Sequence, residues 1–322
     1  MEDKMGIKQS SLHPTLSAKI DQAASGFYGM DFGETFYLAS PDSLMIDLLQ
    51  DRVHHSKIFH TLDLAIGATT AGRDDILQIV PGYTETITGA GGITLDKAGL
   101  RIQGNGIYDQ RPSFLMDGAA ASMLVTSANM TLDNCVFNAG HEDLAYLALV
   151  TAKGFRFSNN FVGENVATEN FVVALQVSAG DNDADGIEIV GNNFVGVDTA
   201  ATGCIDFMKD INDARVFANT IMGNFGTTTF APIHMLDGEI PLNMEIAYNV
   251  IHNQHNADAD VGISVLEAAG TGMIHHNICY ALDTAGATPF NTGATGLSCF
   301  ENYYSFEGNN SGYIMPTMGT AA

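Results

Sequence analysis

The chain has 322 residues, 46% of them apolar, with 34 glycines, no tryptophan and a net charge of −24. That length and apolar share fit one large folded domain or two ordinary ones. The acidity excludes a nucleic-acid or anionic-membrane surface, each of which calls for a basic face, and its plain reading is solubility through self-repulsion.

Taken in chain order, residues 1–33 form an N-terminal arm. Pro14 suits a first helical turn, Leu16, Ile20, Ala23 and Ala24 share one face, and Gly26 can end the helix. A helix this short is marginal alone, so its apolar stripe predicts contact with the protein body or a partner. The start, MEDKMGIKQSS, lacks a basic stretch followed by an apolar run, so neither a secretion signal nor a membrane anchor is expected there. Residues 34–73 read as a strand (34–39), a helix from Ser40-Pro41 to about Arg52, and a second helix marked by Ile58, Phe59, Leu62, Ala65 and Ile66. From 74 to 305 the period changes to short β runs, such as ILQIV, YLALV and FVVALQV, separated by Gly, Asn and Asp turns. Residues 306–322 are left as a C-terminal cap or tail. No Lys or Arg follows Arg215, so the last 107 residues carry nine carboxylates and no fixed cation. Cys135, Cys204, Cys279 and Cys299 have no metal-site spacing and read as reduced core thiols.

Within the β region, Asn105, Asn134, Asn159, Asn192, Asn219, Asn249, Asn277 and Asn302 recur at intervals of 25 to 33 residues. Each stands two residues before Ile107, Val136, Phe161, Phe194, Ile221, Ile251, Cys279 or Tyr304. A repeat of this length marks a stacked solenoid. One Asn per turn beside one inward apolar residue predicts a ladder of buried amides, each bonded to its equivalent on the next coil. Three residues before each Asn the chain places Ile102, Ile189, Val216, Ile246, Ile274 and Cys299, an apolar stack. The stack breaks at Asn134 and Asn159, where Thr131 and Arg156 fall. Those two coils should drop one residue at the turn, or pair through a neighbour such as Asn160. The predicted fold is all-β, a parallel β-helix of eight or nine coils.

Residues 61–87, TLDLAIGATTAGRDDILQIVPGYTETI, resemble the opening of right-handed parallel β-helices of the pectate-lyase-like superfamily. There a capping helix leads into a first coil ending V-x-P-G-x-Y/H-T-E; the matching residues are Leu62, Ala65, Ile66, Ile79, Val80, Pro81, Gly82, Thr84 and Glu85. LRIQGNG at 100–106 resembles the family's coil repeat. The GYTETITGAGGITL version closely resembles β-helix proteins among the virion proteins of tailed bacteriophages.

Several residue groups are candidates for chemistry. Glu188, Arg215 and Glu245 each precede a ladder Asn by four residues, so they should stack outward as acid, base, acid. An arginine between two carboxylates keeps both ionised, which suits a salt ladder better than a general acid. Asp181, Asp183 and Asp185 reproduce the first half of a calcium loop, with Asn192 standing where its glutamate belongs. They are the metal candidates, Ca²⁺ being the one ion admitted and no cofactor being required. His252, His255, His275 and His276, near Asp258 and Asp260, match no metal-site motif.

The resemblance implies a non-enzymatic virion protein of a tailed phage, a capsid decoration or head-attached β-helix held to other virion proteins by its N-terminal arm. It would assemble in the host cytoplasm, unsecreted, as a homo-oligomer. The alternative is a polysaccharide-degrading or glycan-binding tailspike-like β-helix, with a surface glycan as ligand.

Overall fold

The computed structural model describes residues 33–164, 166, 168–196, 203–225, 231–254, 261–281, 290–291, 296–306 and 309–315. The arm residues Leu16, Ile20, Ala23 and Ala24 lie outside them, as do His255, Asp258 and Asp260.

Three sheets of 11, 10 and 8 strands build the body, and apart from the last strand of the second sheet their strands pair in parallel from coil to coil. The protein is a parallel β-helix of about seven turns rather than eight or nine. Thr35–Leu38 and Ile58–Phe59 extend the first sheet by two rungs without completing turns. At the rung spacing of parallel strands, seven turns make a rod of about 34 Å.

Alternation within each strand sets the register. In the first sheet the central position is Leu77, Ile102, Leu132, Phe157, Ile189, Val216, Ile246, Ile274 and Cys299, all buried. In the second sheet the inward column runs Phe114, Phe137, Val162, Phe194, Ile221, Ile251 and Cys279. Phe114 and Phe137 stack with centroids 5.3 Å apart, which adds ring contact to area burial. The third sheet contributes Ile93, Met123, Ala148, Leu175, Ile205, Ile233 and Ile263. All four cysteines are buried thiols, and burial pushes the Cys135 thiol up to about 12.

The second predicted helix begins late. Ile58 and Phe59 are extended and pair with Tyr37 and Leu38; the helix, here α2, spans Leu62–Ala68, after α1 at Leu44–Gln50. Glu85 decides where α2 starts. It occupies the first inward position of the second sheet, where later coils carry phenylalanine. There its carboxylate accepts the Leu62 N–H at 2.9 Å and the Tyr83 hydroxyl at 2.7 Å. A carboxylate at a helix N-terminus satisfies an otherwise orphaned donor. The P-G-Y-T-E segment is thus the joint between cap and first coil. At the other end, Asn309–Met315 pairs antiparallel with Asn302–Phe306 and covers the last edge of the second sheet.

The amide ladder runs along the corner between the first and second sheets. Asn192 Oδ1 accepts the Asn160 N–H at 2.8 Å, and Asn219, Asn249, Asn277 and Asn302 each repeat this bond to the coil before. Each Nδ2 also donates to the inward strand carbonyl of an earlier rung, as from Asn219 to Ile189 at 2.8 Å. At Asn134 and Asn159 the ladder is corrected by one residue. Both adopt φ near +55° at the preceding corner, a conformation asparagine tolerates, and the next residues, Cys135 and Asn160, take the ladder positions. Burying Leu132 and Phe157 requires this shift, because the other register would put Thr131 and Arg156 in the core. Val136 and Phe161 accordingly face outward and Phe137 and Val162 inward. Asn105 stands in the same column, but its amide bonds to Gln78 and to the Ile79 carbonyl, and Ile107 beyond it is exposed.

Candidate functional site

Outward positions of the first sheet form two columns. One reads Arg101, Thr131, Arg156, Glu188, Arg215, Glu245, Met273; the other reads Gln103, Asp133, Ser158, Val190, Phe217, Ala247, His275, Phe300. A third column is the corner itself, where Asn134, Asn159, Gly191, Ala218, Tyr248, His276 and Glu301 all take positive φ.

The charged column alternates. Arg156 pairs with Glu188; Arg215 lies 3.7 Å from Glu188 and 2.8 Å from Glu245. Exposed pairs of this kind each contribute only about 0–1 kcal/mol to stability. Glu245 continues it to His275 Nε2 at 3.4 Å, His275 Nδ1 lies 2.8 Å from His276 Nδ1, and His276 Nε2 lies 2.8 Å from Glu301. Sequence reasoning reached Glu188, Arg215 and Glu245. It missed Arg156, because the register had been counted from Asn159 and not Asn160.

Beside these charges lies a run of rings. Phe217 and Tyr248 are 5.1 Å apart, Tyr248 stacks on His276 at 4.8 Å, and His275 stacks on Phe300 at 5.0 Å. Tyr248 remains about half exposed. Phe217, Tyr248 and Phe300 were not singled out from the sequence, although each sits at a fixed offset from a ladder Asn. A groove of about 240 Å³ opens against the charged column, lined by Asp213, Arg215, Asn243, Met244, Glu245, Gly272 and Met273. A second, of about 250 Å³, lies between Arg101 and Arg156 over Thr131 and Asp133.

The predicted calcium residues do not converge. Asp185 is taken up by Lys153 at 2.8 Å and by the backbone and side chain of Asn212. Its burial raises the carboxyl's value, but those bonds outweigh it and hold it below the usual range. Asp181 instead meets Asp210 and Glu239, from one and two coils on, with carboxylate oxygens within 4.8 Å of one another. Lys209 bonds Glu239 at 2.9 Å and so neutralises part of that cluster. The described histidines of that group separate too. His252 packs edge-on against Tyr280 on the second sheet's outer face, away from His275 and His276. On the third sheet Asp206 and His234, one coil apart, form a buried pair at 2.7 Å. Among the described residues no helix is long and apolar enough to cross a membrane.

The architecture is that of a parallel β-helix. No protein-family model matches the sequence, and no curated protein matches it either. Among solved structures, a rhamnogalacturonan lyase aligns over 78% of this chain and 74% of its own, at 14% identity and a TM-score of 0.42. The expectation of a non-enzymatic protein is corrected by this match to a chain named as an enzyme, and is carried no further. The substrate in that name is that protein's.

Proposed function

We propose that the protein processes a polysaccharide along the outward face of its first sheet, in the half bearing Arg215, Glu245 and Tyr248. The observation that carries this reading is the run of rings at Phe217, Tyr248, His276 and Phe300 beside the groove at Glu245. A pyranose presents an apolar C–H face to an aromatic ring and a rim of hydroxyls to charged side chains. A face with rings in the two columns beside its ionised groups offers both. Glu245 pairs with Arg215 at 2.8 Å and lines the groove, so its carboxylate is the group placed to accept a proton there. Proton abstraction is therefore the reaction class the groove supports. The expected bacteriophage particle rests on the sequence resemblance alone.

The test is retention and turnover on a panel of neutral and acidic polysaccharides. Tyr248→Ala should abolish retention on whichever glycan binds the native protein, and Glu245→Gln should abolish product while leaving retention. Retention unchanged in both Tyr248→Ala and Phe217→Ala would show that the rings are not the platform.

A further inference from the structure

The second sheet turns two columns of side chains outward, one running from Thr84 to Tyr303 and the other from Thr86 to Ser305. Each column has nine rungs. None of these eighteen residues is Asp, Glu, Lys or Arg. A surface of that size ordinarily holds about five. The first sheet, on the same coils, turns Arg101, Asp133, Arg156, Glu188, Arg215 and Glu245 outward. After Arg215 the chain has nine carboxylates and no fixed cation, and none of those carboxylates stands in either column.

The residues that stand there change along the rod. The first rungs offer the hydroxyls of Thr84, Thr86 and Ser113, which water satisfies. The last rungs offer Met222, Val250, Ile278 and Tyr303, each roughly half exposed. Val250, Ile278 and Tyr303 follow one another on successive rungs of one column. A single exposed apolar residue is ordinary, whereas a contiguous run marks a contact surface.

We propose that this face joins two copies of the chain side by side, with the rods parallel and the apolar ends together. Charge selects the occupant. At −24 a second copy is repelled wherever it meets carboxylates, and of the three sheets only this one has outward columns without them. An anionic partner finds no fixed cation there and a cationic one no carboxylate, so neither gains by binding at it. Area is sufficient. From Thr84 to Tyr303 the face spans about 38 Å, and strands about 13 Å long make a flat footprint of about 500 Å² on each copy. The pair then covers about 1,000 Å², the lower limit of a specific interface. One face meeting itself is isologous, and such an assembly closes at two. The gradient sets the direction. Parallel rods bring Val250, Ile278 and Tyr303 to the same rungs of the second copy, whereas antiparallel rods would bring them to the Ser113 and Thr84 end. The glycan platform lies on the first sheet, so the pairing stands apart from that reading.

The test is sedimentation velocity of the full chain at micromolar concentration, with no glycan present. The native protein should sediment with twice the mass of one chain. Ile278→Lys, at a position already half exposed, should leave a monomer with unchanged circular dichroism, and so should Ile278→Glu. An equimolar mixture of the two variants should regain the pair, because parallel rods set both substituted side chains on one rung. A monomeric native protein overturns the proposal, and that measurement needs no variant to fold. A pair that survives both substitutions overturns it equally, as does a mixture of variants that stays monomeric. Three or more copies overturn the isologous pairing. A native monomer whose retention on a polysaccharide is lost in Ile278→Lys would give the face to a glycan instead.

Discussion

Replacing Asn219 by alanine removes four hydrogen bonds at one buried corner. Its Oδ1 accepts the Asn192 N–H at 2.9 Å and Asn192 Nδ2 at 3.0 Å; its Nδ2 donates to the Ile189 carbonyl at 2.8 Å and to Asn249 Oδ1 at 3.0 Å. Alanine reproduces none of these, and the site is sealed from water. The Asn192 N–H and the Ile189 carbonyl each lose a partner, at about 1–3 kcal/mol per buried group. The Asn192 and Asn249 side chains each keep another bond and add less. The expected loss is about 4 kcal/mol, a large part of the roughly 5–15 kcal/mol that holds a domain together. Urea unfolding followed by far-ultraviolet circular dichroism measures it, with tyrosine fluorescence as the second probe because the chain has no tryptophan. Asn193→Ala is the matched control. It is the next residue, exposed on the outer face, and should fall within about 0.5 kcal/mol of the native protein. A loss below about 1 kcal/mol for Asn219→Ala, no different from the control, would refute the claim that the ladder amides hold the coils in register.

Ala218 takes φ 56° at an exposed corner where the preceding coil has Gly191, so Ala218→Gly should raise the unfolding free energy by about 0.5–1 kcal/mol, read in urea unfolding. Burial, and then the Glu85 carboxylate, raise the Tyr83 hydroxyl well above the ordinary tyrosine value. The folded state therefore keeps a proton that the unfolded chain releases above about pH 10, so stability should fall with rising pH there, and Tyr83→Phe should flatten that slope. At Asp75 burial raises the carboxyl's value, but bonds from Arg73 and from the Thr70 and Glu34 N–H groups outweigh it and hold it below 3.8. The folded state then binds fewer protons than the unfolded chain, so its contribution is present above pH 3.8 and fades as the pH drops through the lower folded value. Asp75→Asn should lose that acid-limb dependence in pH-jump unfolding.

The coil period and the inward column were legible because both are dictated by burial, which leaves a one-in-two trace in each strand. The slip at Asn134 and Asn159 was legible too, since Leu132 and Phe157 are the only apolar residues that keep the stack whole. The grouping of Asp181, Asp183 and Asp185 had a different basis. It relied on spacing within one loop, whereas a side chain in this fold meets residues 25 to 32 positions away, as Asp185 meets Lys153 and Asn212. The ring platform escaped notice on the same grounds. Phe217, Tyr248, His276 and Phe300 come from four coils, and only the offset from each ladder Asn would have aligned them. Glu85 looked like part of a motif and proved to be a cap, which required knowing that its rung lies under α2.

The corner column has a consequence for how such a chain can change. Its residues run Asn134, Asn159, Gly191, Ala218, Tyr248, His276 and Glu301, from amide through bare backbone to ring and carboxylate. None contributes to the inward column, and each is followed directly by a residue the ladder does fix. One site per turn is thus exempt from the packing code while held in a fixed position by it. Drift at that site can write a new surface along the rod, one letter per coil, without disturbing the coil it stands on.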